Sequence, residues 1–165
     1  EEINKYISNI GKDSICEIAN DNAEGQIIAS GNTHSIIELQ KKLKENNKKS
    51  IILPVSAPFH CSLMKPAAEK MNSKISEINF KNSKVKIITN VNATPETENK
   101  NFKKLLVEQI YSKVRWRESI LYMVNKGVNE FIEIGPGKVL NGLVKRITKK
   151  STSKSINTVE DIKNF

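Results

Sequence analysis

Between Val114 and Ile147 the chain reads VRWRESILYMVNKG, VNEFIEI, GPG and KVLNGLVKRI. This alternation constrains the fold more than any other stretch. Trp116, Ile120 and Met123 recur at helical spacing, and Gly127 offers a stop. NEFIEI is a short apolar strand, GPG a tight turn, and the last segment a second amphipathic helix. Helix, strand and helix joined by glycine turns predict a parallel α/β layer. Upstream, PAAEKMNSKISEI predicts a helix with Met71, Ile75 and Ile78 inward and Pro66 in its first turn. KVKIITNV predicts a strand, and NFKKLLVEQIY an amphipathic helix. A polar tail begins near Lys149, with one short strand over SINTV.

The first third carries a different order. EEINKYISNIG predicts a helix closed by Gly11. SICEIAN and GQIIASG predict two strands joined by the polar turn DNAEG. THSIIELQKKLKENN places Ile36, Leu39 and Leu43 on one helical face, with Ser35 and Glu38 at capping-box spacing. SIILPV reads as a compact apolar strand. Helix, strand, strand, helix, strand is most of a split βαβ arrangement without its first strand. Residues 1–55 are therefore predicted to form an incomplete ferredoxin-like α+β subdomain, and residues 56–165 part of an α/β core. A length of 165 residues suits one domain or two closely packed subdomains. Since the chain opens on Glu1, it is expected to be a piece of a longer protein.

The formal charge of +9 admits nucleic acid, an anionic membrane or an acidic protein as partner. The lysines are scattered, and the densest groups, KKLKENNKK and KRITKKSTSK, read first as solvated helix faces. An RNA-binding ferredoxin-like module would stack bases on strand aromatics, and SICEIAN, GQIIASG and SIILPV carry none. No run of about 18 apolar residues predicts a membrane span, and no basic-then-apolar signal peptide is present. Two cysteines, Cys16 and Cys61, make no disulfide framework, which favours a reducing cytoplasm.

Chemistry concentrates in VSAPFHCSLMKP, residues 55–66. His60 follows an apolar stretch and a proline turn, a place where α/β proteins put ligands and catalytic groups. An imidazole there suits a general base, and a packed structural histidine fits the bare residues equally well. His34 and the cysteines lack metal-ligand spacing, so no metal is expected. Cys61 neighbours His60, but adjacent side chains in a turn point apart, so a small buried thiol is expected in place of a dyad. EIGPGKVL has the strand, glycine turn and helix start of a phosphate cradle, without the endings that mark one; a structural turn is favoured. Arg115 and Arg117 read as an exposed pair flanking a core tryptophan. No G-x-S-x-G elbow occurs, so no serine nucleophile is presented.

Several segments in order resemble the malonyl-CoA:acyl carrier protein transacylases. VSAPFHCSLMKPAAEKM is similar to their histidine segment and IANDNAEGQIIASG to their Asn-x-Asn segment. LLVEQIYSKVRWRESILYMVNKGVNEFIEIGPGKVLNGLVKRI is similar to their C-terminal region. The resemblance runs from Ile15 to Ile147. It departs at Ala23-Glu24, where the family usually has Ser-Pro, and at Ser83 and Lys113, where proline is frequent.

The resemblance implies an α/β-hydrolase-like core interrupted by a ferredoxin-like subdomain. It implies two-step transfer of malonyl from CoA, through an acyl-serine, to the phosphopantetheine thiol of acyl carrier protein. His60 would be the general base, and the main-chain carbonyl of Gln109 would orient its ring. Asn20 and Asn22 would lie near the pantetheine channel, and Phe59 fits versions of the segment associated with malonyl. No cofactor and no metal is implied beyond the two substrates; the full-length protein would be a monomer. The serine, the oxyanion loop and the arginine that pairs with the malonate carboxylate would lie upstream of Glu1, so the 165 residues alone are expected to be inactive. An acyltransferase domain of a polyketide or fatty acid synthase, and an inactive fragment, stay open beside this reading. A basic RNA-binding module is the remote alternative.

Overall fold

Side-chain alternation along residues 16–23 decides how the rest of the chain is arranged. The computed structural model describes residues 2–11 and 14–165. In it, β1 (Cys16–Ala23) and β2 (Gln26–Gly31) form an antiparallel hairpin closed over Gly25, whose φ of 70° favours glycine. The register shifts twice, between Ile18 and Asn20 and between Asp21 and Ala23. An extra residue in a strand moves the following side chains to the other face. Cys16 joins Ile10 and Leu39 in one buried cluster, and Ala19, Asp21 and Ala23 are the strand's other buried positions.

The hairpin's first face is covered by α2 (Thr33–Glu45) and α1 (Glu2–Ile7). Leu39 is buried there, and Ile36 and Leu43 pack against the same cluster. Gly31 is required where the hairpin meets the chain before it: a Cβ on it would lie 2.0 Å from the Ile15 carbonyl oxygen. That oxygen instead accepts the Asn32 N–H at 2.9 Å, and the Asn32 side chain accepts the Ile15 N–H at 2.8 Å.

Two local predictions are corrected here. Helix α1 ends at Ile7, not at Gly11, and hydrogen-bonded turns carry the chain through Ile10. The Ser35–Glu38 capping box does not form, because α2 starts three residues earlier, with Asn32 as its N-cap. Ser35 is buried inside the first turn, and Glu38 pairs with Lys42 at 2.8 Å.

A 3₁₀ turn (Ser62–Met64) leads into α3 (Lys65–Ser76), with Pro66 in its first turn. Ala68 and Ile75, seven residues apart, are its buried stripe, and Met71 and Ile78 are exposed, contrary to the sequence expectation. The stripe is narrow because α3 packs chiefly on one neighbour, α4 (Asn99–Glu108). The predicted strand over KVKIITNV shrinks to β3 (Ile87–Ile88), paired with β4 (Pro95–Glu96). SIILPV forms no strand, since among the described residues nothing pairs with it; Ile51 is 80% exposed. Backbone groups without a ladder partner turn to water whatever the side chains prefer.

The last part is a parallel unit. Helix α5 (Trp116–Asn125) buries Ile120 completely, and α6 (Val139–Ile147) connects β5 (Glu130–Ile134) to β6 (Thr152–Ile156). β5 and β6 pair in parallel, as the alternation predicts. The segment after Lys149 is more ordered than its polarity suggested, adding α7 (Val159–Lys163) with a Thr158–Asp161 capping box. Backbone N–H groups of Asn157 and Thr158 hold the Asp161 carboxyl below the usual carboxylate range. Backbone pairing with β5, and not apolar side chains, makes this strand. Both α5 and α6 pack against β1, giving an α/β arrangement of three two-stranded sheets among the described residues. No described helix is long and apolar enough to cross a membrane. Ile51, Val55, Val85, Ile134 and Val139 stand exposed.

Urea unfolding will separate core from surface. Ile120→Ala is expected to lose about 2–5 kcal/mol, whereas Met71→Ala on the exposed side of α3 is expected to stay within about 0.5 kcal/mol of the parent.

Candidate active site

His60 sits in a turn with backbone φ of 59°, the left-handed region. Histidine visits it more readily than β-branched residues do, yet such a conformation costs about 1–3 kcal/mol and persists only where its surroundings hold it. The holding groups come from the end of α4. His60 N–H donates to the Ile110 carbonyl at 3.3 Å. The ring Nδ1 lies 2.8 Å from the carbonyl oxygen of Gln109, the C-cap residue of α4. Carbonyls at a helix end lack intrahelical partners, so this one is available to a side chain. A carbonyl only accepts, so Nδ1 carries the proton. In the neutral ring Nε2 then presents a lone pair.

Cys61 is fully buried, and its thiol donates to the Pro58 carbonyl at 3.2 Å, away from a dyad with the ring. The thiol of Cys16 is pushed up to about 11, mainly by burial and then by the nearby Cys61. Phe59, before the histidine, is exposed. Asn20 and Asn22 are half-buried on β1, and neither hydrogen-bonds to His60 among the described residues. Asn20 forms an isolated parallel bridge with Val114. The structure thus joins His60 to Gln109 directly and sets Asn20 beside the segment that follows Gln109. No three His, Cys, Asp or Glu side chains gather as a metal-ligand set among the described residues.

Sequence reasoning passed over three carboxylates here, Asp21, Glu118 and Glu17. Asp21, between the two asparagines, is only 6% exposed and takes Arg117 in a bidentate pair at 2.9 and 2.8 Å. The main chain joins in: Asp21 N–H donates to the Val114 carbonyl at 2.9 Å, and Val114 N–H to the Ala19 carbonyl at 2.8 Å. Asp21 holds the Arg117 guanidinium more firmly protonated than usual. Arg115 is hydrogen-bonded to Glu118, whose carboxyl it holds low. It also donates to the Val91 and Asn92 carbonyls at 3.2 and 3.1 Å. The two arginines are therefore half-buried and paired, not an exposed flank. A charged residue between two polar ones in a strand was the signal for Asp21.

The third group is Glu17, whose carboxylate accepts the Ser62 N–H at 3.0 Å and also the Ser62 hydroxyl. The glycine turn after β5, with Gly135 and Gly137 at φ of 134° and 97°, is structural. Glu133 already accepts the Leu140 and Asn141 N–H groups at the start of α6, at 3.1 and 2.8 Å. An anion is thus built into the helix start that a phosphate would need.

Residues 7–164 match the acyl transferase domain family, and the chain belongs to it. The malonyl CoA-acyl carrier protein transacylase of Staphylococcus aureus (strain MSSA476) is 43% identical over 166 aligned positions, which take in all of this chain and 53% of that protein. The crystal structure of acyl-carrier-protein-S-malonyltransferase from Bartonella henselae superposes with a TM-score of 0.93 at 37% identity, over 99% of this chain and 52% of that one. A type II polyketide acyl carrier protein in complex with its malonyl-transacylase gives 0.92 at 31% identity, over 98% and 53%. The chain spans about half the length of the curated relatives it matches.

Arg117→Ala leaves the Asp21 carboxylate buried without its partner. It is expected to cost about 1–3 kcal/mol in urea unfolding, and the double change Asp21→Leu with Arg117→Met is expected to recover most of that loss.

Proposed function

We propose that this chain is the base-bearing part of an enzyme that moves malonyl from CoA to the phosphopantetheine thiol of acyl carrier protein. The observation that carries the reading is the Nδ1–H of His60 bonded to a main-chain carbonyl, which leaves Nε2 to take a proton. Membership of the acyl transferase family supplies the reaction class.

In the first step Nε2 takes the proton of a serine hydroxyl as its oxygen attacks the thioester carbonyl. Collapse of the tetrahedral intermediate expels the CoA sulfur, which recovers that proton. In the second step the carrier thiol gives its proton to Nε2 and attacks the acyl-serine, and collapse of that intermediate expels the serine oxygen, which takes the proton back. The Gln109 carbonyl, at a helix C-terminus, complements the charge that develops on the ring each time. No residue of this chain presents a serine on a G-x-S-x-G elbow, so the nucleophile comes from polypeptide outside these 165 residues.

Asn20 and Asn22, on the strand bridged to Val114, are assigned to the pantetheine channel, and Phe59 to the acyl side of the histidine. Residues 1–55 correspond in this reading to a ferredoxin-like subdomain inserted in a hydrolase-like core, and residues 56–165 to part of that core. The exposed apolar positions Ile51, Val55, Val85, Ile134 and Val139 face the remaining polypeptide. The carrier protein is the macromolecular partner. The complex of a related transacylase with its carrier supports this, and the charge of +9 favours encounter with an acidic surface. The whole protein is read as a cytoplasmic monomer without a cofactor.

Transfer of radiolabelled malonyl to holo-carrier protein tests the reading. In the intact enzyme His60→Ala is expected to lower kcat by about 10²- to 10⁴-fold. The isolated chain is expected to show no thioester exchange; exchange by it that His60→Ala abolishes would falsify the account.

A further inference from the structure

We propose that Glu17 is a positioning residue for His60, fixing the turn that aims the imidazole. The proposal rests on the reading of His60 as the general base.

The turn is tied on both sides of the histidine. On the imidazole side, the Gln109 and Ile110 carbonyls take the ring Nδ1–H and the His60 N–H. Those two bonds orient the ring only if the backbone stays in its left-handed conformation, with φ of 59°. Relaxation to an ordinary φ would swing the Cα–Cβ bond, and the ring would leave the Gln109 carbonyl.

What opposes that relaxation lies two residues on. Cys61 is the N-cap of the 3₁₀ turn but makes no side-chain cap bond, since its thiol is turned to Pro58. The first N–H groups of the helical stretch Ser62–Ser76 therefore need an acceptor from elsewhere. Glu17 provides it, with one oxygen on the Ser62 N–H at 3.0 Å and the other on the Ser62 hydroxyl. A carboxylate at a helical N-terminus is electrostatically favoured as well.

Glu17 is itself held by the hairpin, opposite Ser30 in register. β1 is joined to the segment after α4 by the Val114 bridge and to α5 by Asp21–Arg117. The carboxylate that fixes Ser62 and the carbonyl that fixes the ring thus belong to one hydrogen-bonded frame. His60 is suspended between the two attachments. Charge-assisted acceptance makes the Glu17 attachment the stronger kind of bond.

The test uses the intact enzyme, with transfer kinetics and ¹⁵N NMR of the His60 ring. Displacement of a catalytic group by about 1 Å costs on the order of 10²-fold. Glu17→Ala is therefore expected to lower kcat by about 10- to 100-fold, with KM for malonyl-CoA within about threefold. Its His60 ring is expected to lose the single Nδ1–H tautomer for an average of both. Glu17→Gln keeps one acceptor oxygen and is expected to fall between parent and Glu17→Ala. If Glu17→Ala does not fold, Glu17→Gln decides by the same two readouts.

A kcat within about twofold of the parent with an unchanged tautomer overturns the proposal. So does a loss of rate that only follows the unfolded fraction at the assay temperature. Should the intact parent transfer no malonyl, or His60→Ala keep full activity, the functional reading fails instead. The ring tautomer in Glu17→Ala still decides the positioning role in that case.

Discussion

The Asp21–Arg117 pair is the interaction on which the arrangement depends. A strand can carry a carboxylate among its buried positions only if something pays its desolvation, and Arg117 meets both oxygens at hydrogen-bonding distance. The Val114 main chain closes the same junction from the other side. One strand thereby serves two halves: its first face closes over α1 and α2, and its second receives α5 and α6.

The site inherits its geometry from that junction. Gln109 and Ile110 follow α4 shortly before Val114, and Glu17 is the second residue of the strand that Val114 bridges. His60 takes its main-chain and ring partners from the first and its neighbour's cap from the second. A strained backbone residue, a ring with its tautomer set by a carbonyl, and a fully buried following cysteine make a rigid mount for one imidazole. Aliphatic side chains of residues 51–55, β5 and the start of α6 are exposed.

Much of the fold was legible along the chain. Helical spacing of Trp116, Ile120 and Met123, the hairpin over Gly25, and the strand–turn–helix run at Gly135 all emerged as read, since each depends on local periodicity and turn chemistry. Two of the misreadings share one cause. SIILPV has strand composition and no partner, while residues 152–156 have polar composition and a partner in β5. Pairing, not side-chain type, decided both. Met71 and Ile78 fell on an exposed side because α3 meets chiefly one neighbouring helix, too few to bury a broad stripe.

By itself the sequence determined most of the order of elements, which follows from local spacing and residue type, and its ordered motifs carried the family resemblance that singled out His60. Only the tertiary structure decided that Glu17 reaches Ser62 across 45 positions and that Arg117 seeks Asp21 across 96. Such contacts depend on where β1, α4 and α5 lie relative to one another, and no periodicity along the chain encodes that. A carboxylate in a strand looks the same in a sequence whether it faces water, a helix start or a guanidinium; burial and the need for a partner tell them apart.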